Sequence, residues 1–150
     1  MKVVIQRVST ANVVIEGEKV ADIENGLLVL LGIETEDNAT EIEWLCKKIV
    51  QMRIFSDAEG KMNNSVIDIN GEIIVVSQFT LHASTKKGNR PSYIKAARPE
   101  QAIPLYEQFV STLSIFLGKK VQTGEFGANM KVSLLNDGPV TIVVDSKNRL

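Results

Sequence analysis

Apolar residues fall in short alternating or continuous bursts along most of the chain and at helical spacing in two places. Residues 2–8 (KVVIQRV) and 11–16 (ANVVIE) are rich in Val and Ile and predict two strands. Glu16-Gly17-Glu18-Lys19 predicts a turn, and Lys19–Ile23 alternates as a short returning strand. After Asn25-Gly26, Leu27–Ile33 is continuously apolar, the pattern of a strand buried on both faces.

Asp37-Asn38-Ala39-Thr40-Glu41 predicts a helix start. With Asn38 as cap, Glu41 stands at the third helical position and closes a capping box. Ile42, Leu45, Ile49 and Met52 then form the buried stripe, flanked by Trp44 and Cys46. A second helix is predicted from Pro99 to about Leu117, with Ile103, Tyr106, Phe109, Val110, Leu113 and Leu117 as its apolar face. Pro104 marks the first turn of the main helix after a short preamble, and Gly118 suits a left-handed cap.

Between the helices, Arg53-Ile54-Phe55 predicts a short strand and Asp57–Met62 a loop. Asn70-Gly71 separates Val66–Ile69 from Glu72–Leu81 and predicts a tight hairpin, because Asn-Gly accepts the positive φ such turns need. Glu72–Leu81 (EIIVVSQFTL) is then a strand whose second half turns polar, and residues 82–98 form a long loop. Loops of that length in a compact domain usually carry function or mobility. Val121–Phe126, Val132–Leu135 and Val140–Val144 predict three closing strands. Strands outnumber helices and do not alternate with them. The fold class is α+β: one domain over residues 1–150, with a curved, mainly antiparallel, barrel-like sheet and two main flanking helices.

Composition narrows the chemistry. With one Cys (Cys46) and one His (His82), the chain can form neither an internal disulfide nor a Cys/His zinc site. A Ser–His–Asp or Cys–His engine would have to use that one His. Cys46, with no acid or base beside it in sequence, reads as a small buried hydrophobe. The longest apolar run, Gly26–Ile33, falls far short of the ~20 residues of a membrane helix. MKVVIQRVST is cut by Gln6 and Arg7 and does not read as a signal peptide. These features predict a reduced, cytoplasmic protein with no membrane association and no obvious transition-metal site.

The net charge of -1 hides an uneven distribution. No acidic residue lies between Glu72 and Glu100, a stretch holding Lys86, Lys87, Arg90, Lys95 and Arg98, so the rest of the chain carries a balance of -6. A basic patch on an acidic body can attract a phosphate backbone, and charge alone weighs that equally against a solvated loop.

Three short segments could carry chemistry. Ser77-Gln78-Phe79-Thr80 places hydroxyls and an amide at the end of an apolar strand, though Ser and Thr are also ordinary strand residues. Gly124-Glu125-Phe126-Gly127-Ala128-Asn129-Met130 could form an apolar wall, or a loop packed on itself. Asn136-Asp137-Gly138-Pro139 reads locally as an ordinary turn; about 5–6% of X-Pro bonds in folded proteins are cis.

Six ordered blocks give these segments a common meaning: MKVVIQRV, RIFSDAEGKMN, SQFTL, KGNRPSY, GEFGANM and NDGPVT. In this order, across nearly the whole chain, they resemble the D-aminoacyl-tRNA deacylase family, also known as D-tyrosyl-tRNA deacylases. The resemblance implies a cofactor-free homodimer that hydrolyses the ester between a D-amino acid, or mischarged glycine, and the 3′-terminal adenosine of tRNA. It also implies chiral proofreading, by rejection of L-amino acids at an active site on the subunit interface. Carried over residue by residue, Ser77, Gln78, Phe79 and Thr80 would line the aminoacyl pocket, and Gly138 and Pro139 would form a Gly-cisPro element entering the neighbouring subunit's pocket. Phe126 and Met130, with Pro139, would pack near the terminal adenine. Arg7 would hold the Gly-Pro loop across the dimer, and Lys86, Lys87 and Arg90 would approach tRNA phosphates.

The chemistry implied is physically coherent. Backbone N–H groups at Phe79 and Thr80 could meet the developing oxyanion. A rigid wall where an L side chain would point rejects by clash and tolerates many D side chains. Thr80 is either a nucleophile or a positioning group; on a strand, His82 would share its face at i, i+2. The favoured route has the substrate's ribose 2′-OH activate water or assist attack. The competing functions are a β module that holds the tRNA 3′ end without chemistry, and a purely structural dimer.

Overall fold

A computed structural model describes residues 1–150. The two N-terminal segments form one 14-residue strand, β1 (Lys2–Ile15), whose Val3, Ile5, Val8, Ala11 and Val13 point inward. Its length lets it serve three partners. The first half runs antiparallel to β3 (Gly26–Gly32), the second half to β2 (Glu18–Ile23). Its other side carries the 15-residue β8 (Lys131–Asp145), with irregularities between Gln6 and Val8 and between Val8 and Thr10. The two closing strands expected on either side of Gly138-Pro139 are thus one bent strand, because both halves pair with the same neighbour.

β3 is followed by α1 (Ala39–Gln51) and the short pair β4 (Phe55–Ser56) and β5 (Met62–Asn64), then by β6 (Glu72–Ser77) parallel to β3. β7 (Gln122–Thr123) lies parallel to β6. All other strand pairs are antiparallel. The side-chain amide of Gln122 acts as a further ladder rung: its Nε2 donates to the Asp22 carbonyl at 3.0 Å, and its Oε1 accepts from the Asp22 N–H at 2.8 Å. This brings β7 back against β2 and nearly closes the sheet into a barrel.

The continuous apolar run of β3 follows from two cores. Leu27, Val29 and Leu31 join Val3, Ile5, Ile73 and Val75 beneath the helices. Leu28 joins Val8, Val13, Ile74 and Val76 inside the barrel. The side-chain period of two thus sends alternate residues to opposite cores. α1 starts with the expected capping box: Asn38 Oδ1 accepts from Thr40 N at 2.9 Å and Glu41 Oε2 from Asn38 N at 3.0 Å. Such a cap contributes about 1 kcal/mol. Met52 lies just past the helix as its C-cap instead of within the stripe.

α2 (Pro99–Leu117) is one continuous helix with Pro99 in its first turn and Pro104 inside it, so there is no separate preamble. Pro104 sits early enough that its missing N–H forfeits one bond near the end of the helix. No helix is long and apolar enough to cross a membrane.

Two expectations at β6 are corrected. No strand precedes Asn70-Gly71, so there is no hairpin: Ser65–Asn70 is a turn held by reciprocal bonds, Ser65 N to Asp68 Oδ2 at 2.8 Å and Asp68 N to Ser65 Oγ at 3.1 Å. Asn70 does take positive φ (53°). Gly71 answers to space instead, since a Cβ there would lie 2.9 Å from Val66 Cγ2 and 3.1 Å from the Asn25 carbonyl. The strand itself ends at Ser77, and Phe79–His82 forms a 3₁₀ turn.

A candidate active site at the end of β6

β6 delivers Ser77 to the rim of the barrel beside Leu31 of β3. The chain then turns, because Gln78 N donates to the Leu31 carbonyl at 2.7 Å and the 3₁₀ turn packs over Gly32. A Cβ on Gly32 would lie 2.9 Å from Leu81 Cβ, 3.0 Å from the Gln78 carbonyl and 3.1 Å from His82 Cδ2. The absence of a side chain at position 32 therefore lets Gln78–His82 fold where it does. Phe79 and Thr80 open that turn, so their N–H groups have no carbonyl one turn back within it. Such N–H groups are the type of donor that can stabilise an oxyanion.

Gln78 Nε2 donates to Thr80 Oγ1 at 2.5 Å. An amide is far too weak a base to take the hydroxyl proton, and this is the one side-chain hydrogen bond Thr80 makes within the chain. His82 is not among its partners. The 3₁₀ turn carries it off any shared strand face, buried with Nδ1 3.6 Å from Glu34 Oε2 and with Nε2 unpartnered.

The Phe126–Met130 loop meets this turn. Ser77, Gln78, Phe79, Phe126 and Met130 line one cavity of about 250 Å³. Phe126 is set by an edge-on contact with Tyr106, ring centroids 5.8 Å apart, and Tyr106 donates its hydroxyl to the Val75 carbonyl at 3.3 Å. Burial raises the Tyr106 pKa, against the lowering effect of a hydrogen bond with Thr123. Met130 lies against Gly124, where a Cβ would collide with its Sδ. A second cavity of about 460 Å³ shares Phe79 and Phe126 as walls and extends to Tyr93 and Arg98. The largest cavity, about 710 Å³, lies elsewhere, around Trp44. Its main cation is already engaged: Arg149 sits 4.1 Å over the Trp44 ring and donates Nε to the Ser146 carbonyl at 2.9 Å.

Gly138 and Pro139 line none of these cavities; they are exposed on β8 and joined by a cis peptide bond. Arg7 holds this segment within the same chain, donating Nε to the Asp137 carbonyl at 2.8 Å and Nη1 to the Ile54 carbonyl at 2.7 Å. Asn136 Oδ1 also accepts from Val140 N at 3.1 Å. Gly138 has φ +135°, and a Cβ there would lie 2.8 Å from Arg7 Nη2, so both conformation and space call for glycine. Lys86, Lys87 and Arg90 stand exposed on a loop closed by paired Ser84–Ser92 hydrogen bonds of 2.8 and 2.9 Å.

Cys46 is buried against α2, with Sγ 3.6 Å from the Phe109 carbonyl, and burial pushes its thiol up to about 12. Two residues beyond the sequence reading pack against this turn. Gly32 left no signal without knowledge of what packs on it. Tyr93, 5.1 Å from Phe79 in an edge-on pair, closes the KGNRPSY block, which was read for family likeness and charge without giving the ring a role.

Comparison with known proteins bears on the family of the chain as a whole. The profile of the family described as D-Tyr-tRNA(Tyr) deacylase matches residues 4–145. A D-aminoacyl-tRNA deacylase of Flavobacterium johnsoniae is 68% identical over 149 residues, 99% of each chain. The solved c-Myc DNA unwinding element binding protein superposes with a TM-score of 0.92 at 43% identity, covering 97% of this chain and 98% of that one. A probable eukaryotic D-amino acid tRNA deacylase shares the fold, with a TM-score of 0.81 at 16% identity over 95% and 97% of the two chains. By its sequence across nearly its whole length, the chain belongs to the D-aminoacyl-tRNA deacylase family.

Proposed function

We propose that the cavity between Ser77–Thr80 and Phe126–Met130 is where this deacylase cleaves the ester joining a D-amino acid, or glycine, to the 3′-terminal adenosine of tRNA. The observation that carries this is the convergence, in one 250 Å³ space, of a polar strand end and an aromatic and thioether wall from a loop some fifty residues away. The terminal adenine packs near Phe126 and Met130. The ester carbonyl meets the opening N–H groups of the 3₁₀ turn at Phe79 and Thr80. Water, activated by the substrate's own ribose 2′-OH, adds to the carbonyl carbon; the 3′ oxygen leaves with a proton. Gln78 and Thr80 brace each other and position the turn. No step needs a cofactor.

The chiral wall comes from a second copy. Gly138 and Pro139 are exposed yet held by Arg7 and Asn136, as an element that enters a neighbour's pocket must be. Arg7 supports its own chain's loop, which then reaches across. β8 also exposes Leu135 (58%) and Val143 (68%), apolar surface suited to a homodimer contact. The exposed Lys86, Lys87 and Arg90 approach acceptor-stem phosphates, and the protein acts in the cytoplasm, where charged tRNA is found.

A deacylation assay on one tRNA, charged in turn with the D and the L form of one amino acid, tests this. Rapid loss of the D ester with the L ester intact is expected. Equal hydrolysis of both, or none, overturns the reading.

A further inference from the structure

We infer that the cavity beside the active site is a second nucleotide subsite, which takes the cytidine immediately 5′ of the terminal adenosine and stacks its base on the Phe79–Tyr93 pair. This rests on the reading above, since it needs the adenosine in the neighbouring cavity.

Four observations carry it. First, the two cavities share Phe79 and Phe126, so a strand leaving the 250 Å³ space beside either residue enters the 460 Å³ one directly. That volume falls within the ~300–1,000 Å³ usual for small-molecule sites. Second, its apolar residues are unspent. Phe79 is 53% exposed, Tyr93 38% and Ile94 85%. Phe79 and Tyr93 meet edge to face at 5.1 Å and 76°, so the two rings form a corner for a flat base. Third, Arg98 is the one charged residue in the lining, and its guanidinium makes no salt bridge and does not cap α2. A cation free beside an aromatic corner suits a base with a phosphate attached. Fourth, the lining residues Tyr93, Ile94, Ala96, Ala97 and Arg98 belong to the acid-free stretch that also holds Lys86, Lys87, Arg90 and Lys95, so the segment leading away from the cavity is positive.

A D-amino-acid side chain is the other candidate occupant. It would use the apolar walls and, for most residues, leave Arg98 without a counter-charge; a nucleotide uses both.

The test compares two non-hydrolysable ligands: 3′-(D-phenylalanyl)amino-adenosine and the same compound extended by a 5′ cytidylyl residue. Dissociation constants are measured by calorimetry for the wild type, Tyr93→Leu and Arg98→Gln, with oligomeric state checked by light scattering. For the wild type, the cytidine should tighten binding about tenfold, a typical gain for one stacked base. Tyr93→Leu and Arg98→Gln should each bring that ratio close to one. A ratio unchanged in both variants overturns the subsite. So does equal weakening of both ligands, which would assign the cavity to the amino-acid side chain. A change of oligomeric state in either variant would assign the face to subunit contact and overturn it too. If the wild type binds the short ligand with no gain from the cytidine, the subsite alone fails. If it binds neither ligand, the active-site reading fails with it.

Discussion

One 3₁₀ turn, Phe79–His82, has two very different polar clusters at its ends. At its end, His82 meets Glu34, which pairs with Lys147 at 3.2 Å; Lys147 also pairs with Asp37 at 3.1 Å. Asp37 binds the Met1 amino group at 2.6 Å, and its other oxygen accepts from Glu34 N at 2.8 Å. The Met1 amino group also donates to Ser146 Oγ at 2.9 Å. At its start stand Ser77, Gln78 and Thr80, all neutral and half-buried, with the N–H groups of Phe79 and Thr80 outside the turn's own bonding. The charged cluster is closed at Asp37, whose carboxylate is fully engaged, and His82 Nε2 is the one buried side-chain nitrogen or oxygen left unpaired. The neutral cluster is open, with donors left over. In this molecule formal charge pins β1, α1 and the C-terminal segment together, and the proposed chemistry falls to uncharged groups and free backbone donors.

The largest expected effect tests the closed cluster. Burial raises the Asp37 pKa, but the bonds from the Met1 amino group, Glu34 N and Lys147 outweigh it and hold the carboxyl below its ordinary 3.8. Asp37→Asn leaves the Met1 ammonium buried without its counter-charge, and breaking such a pair costs about 3–5 kcal/mol. Urea unfolding at neutral pH should show that loss. The sign with pH follows from the lowered pKa: Asp37 contributes its full stability above about 3.8 and loses it as pH falls through its lower folded value. The gap between wild type and variant should therefore close in acid. A gap that persists unchanged at the lowest pH would show that the carboxylate's charge was not the source, and would weaken the contrast between the clusters.

A smaller effect tests how the turn between the clusters is placed. Gly32→Ala puts a methyl group 3.0 Å from the Gln78 carbonyl and 2.9 Å from Leu81 Cβ, so the turn must shift by a few tenths of an ångström or more. Misplacement near 1 Å in an active site costs about a hundredfold. Gly32→Ala should lose activity towards that limit, read as kcat/KM on D-aminoacyl-tRNA, with circular dichroism unchanged. Full activity would mean that the turn's position is not what tunes the site.

Position 32 also marks what was legible in the sequence and what was not. The two-sided burial of β3 was legible, since Leu27–Ile33 carries its environment in its own composition. The capping box at Asn38 and Glu41 was legible because both partners lie within one helical turn. The 3₁₀ turn was not. SQFTL suits a strand by propensity, and what ends β6 at Ser77 is the packing of residues 78–82 over Gly32, a contact across some fifty residues. Asn70-Gly71 misled for a related reason: Val66 is fully buried in the core under the helices as part of a turn, and burial alone looks the same from sequence. The site residues Ser77–Thr80, Phe126 and Met130 carried weak local signals. Their grouping came from family resemblance, and Tyr93, though inside the KGNRPSY block of that resemblance, was given no role.

Thr80 gives the smallest and most discriminating prediction. If the open cluster works through backbone donors and the substrate's own 2′-OH, the Thr80 hydroxyl only braces Gln78 through their 2.5 Å bond. Thr80→Ala removes one side-chain hydrogen bond at a half-buried position, worth about 0.5–1.5 kcal/mol, and leaves the N–H of residue 80 in place. Single-turnover deacylation should then slow by no more than about tenfold. Replacing the terminal adenosine of the substrate by 2′-deoxyadenosine in the wild type should cost far more, because it removes the group assigned to activate water. The reverse order, a severe loss on Thr80→Ala and a mild one on 2′-deoxy substitution, would make Thr80 a nucleophile after all. Its proton would then need an acceptor, and the nearest imidazole is held in the buried charged cluster at the far end of the turn. The contrast between the two clusters would fail at that point, with the closed cluster drawn into the chemistry proposed for the open one.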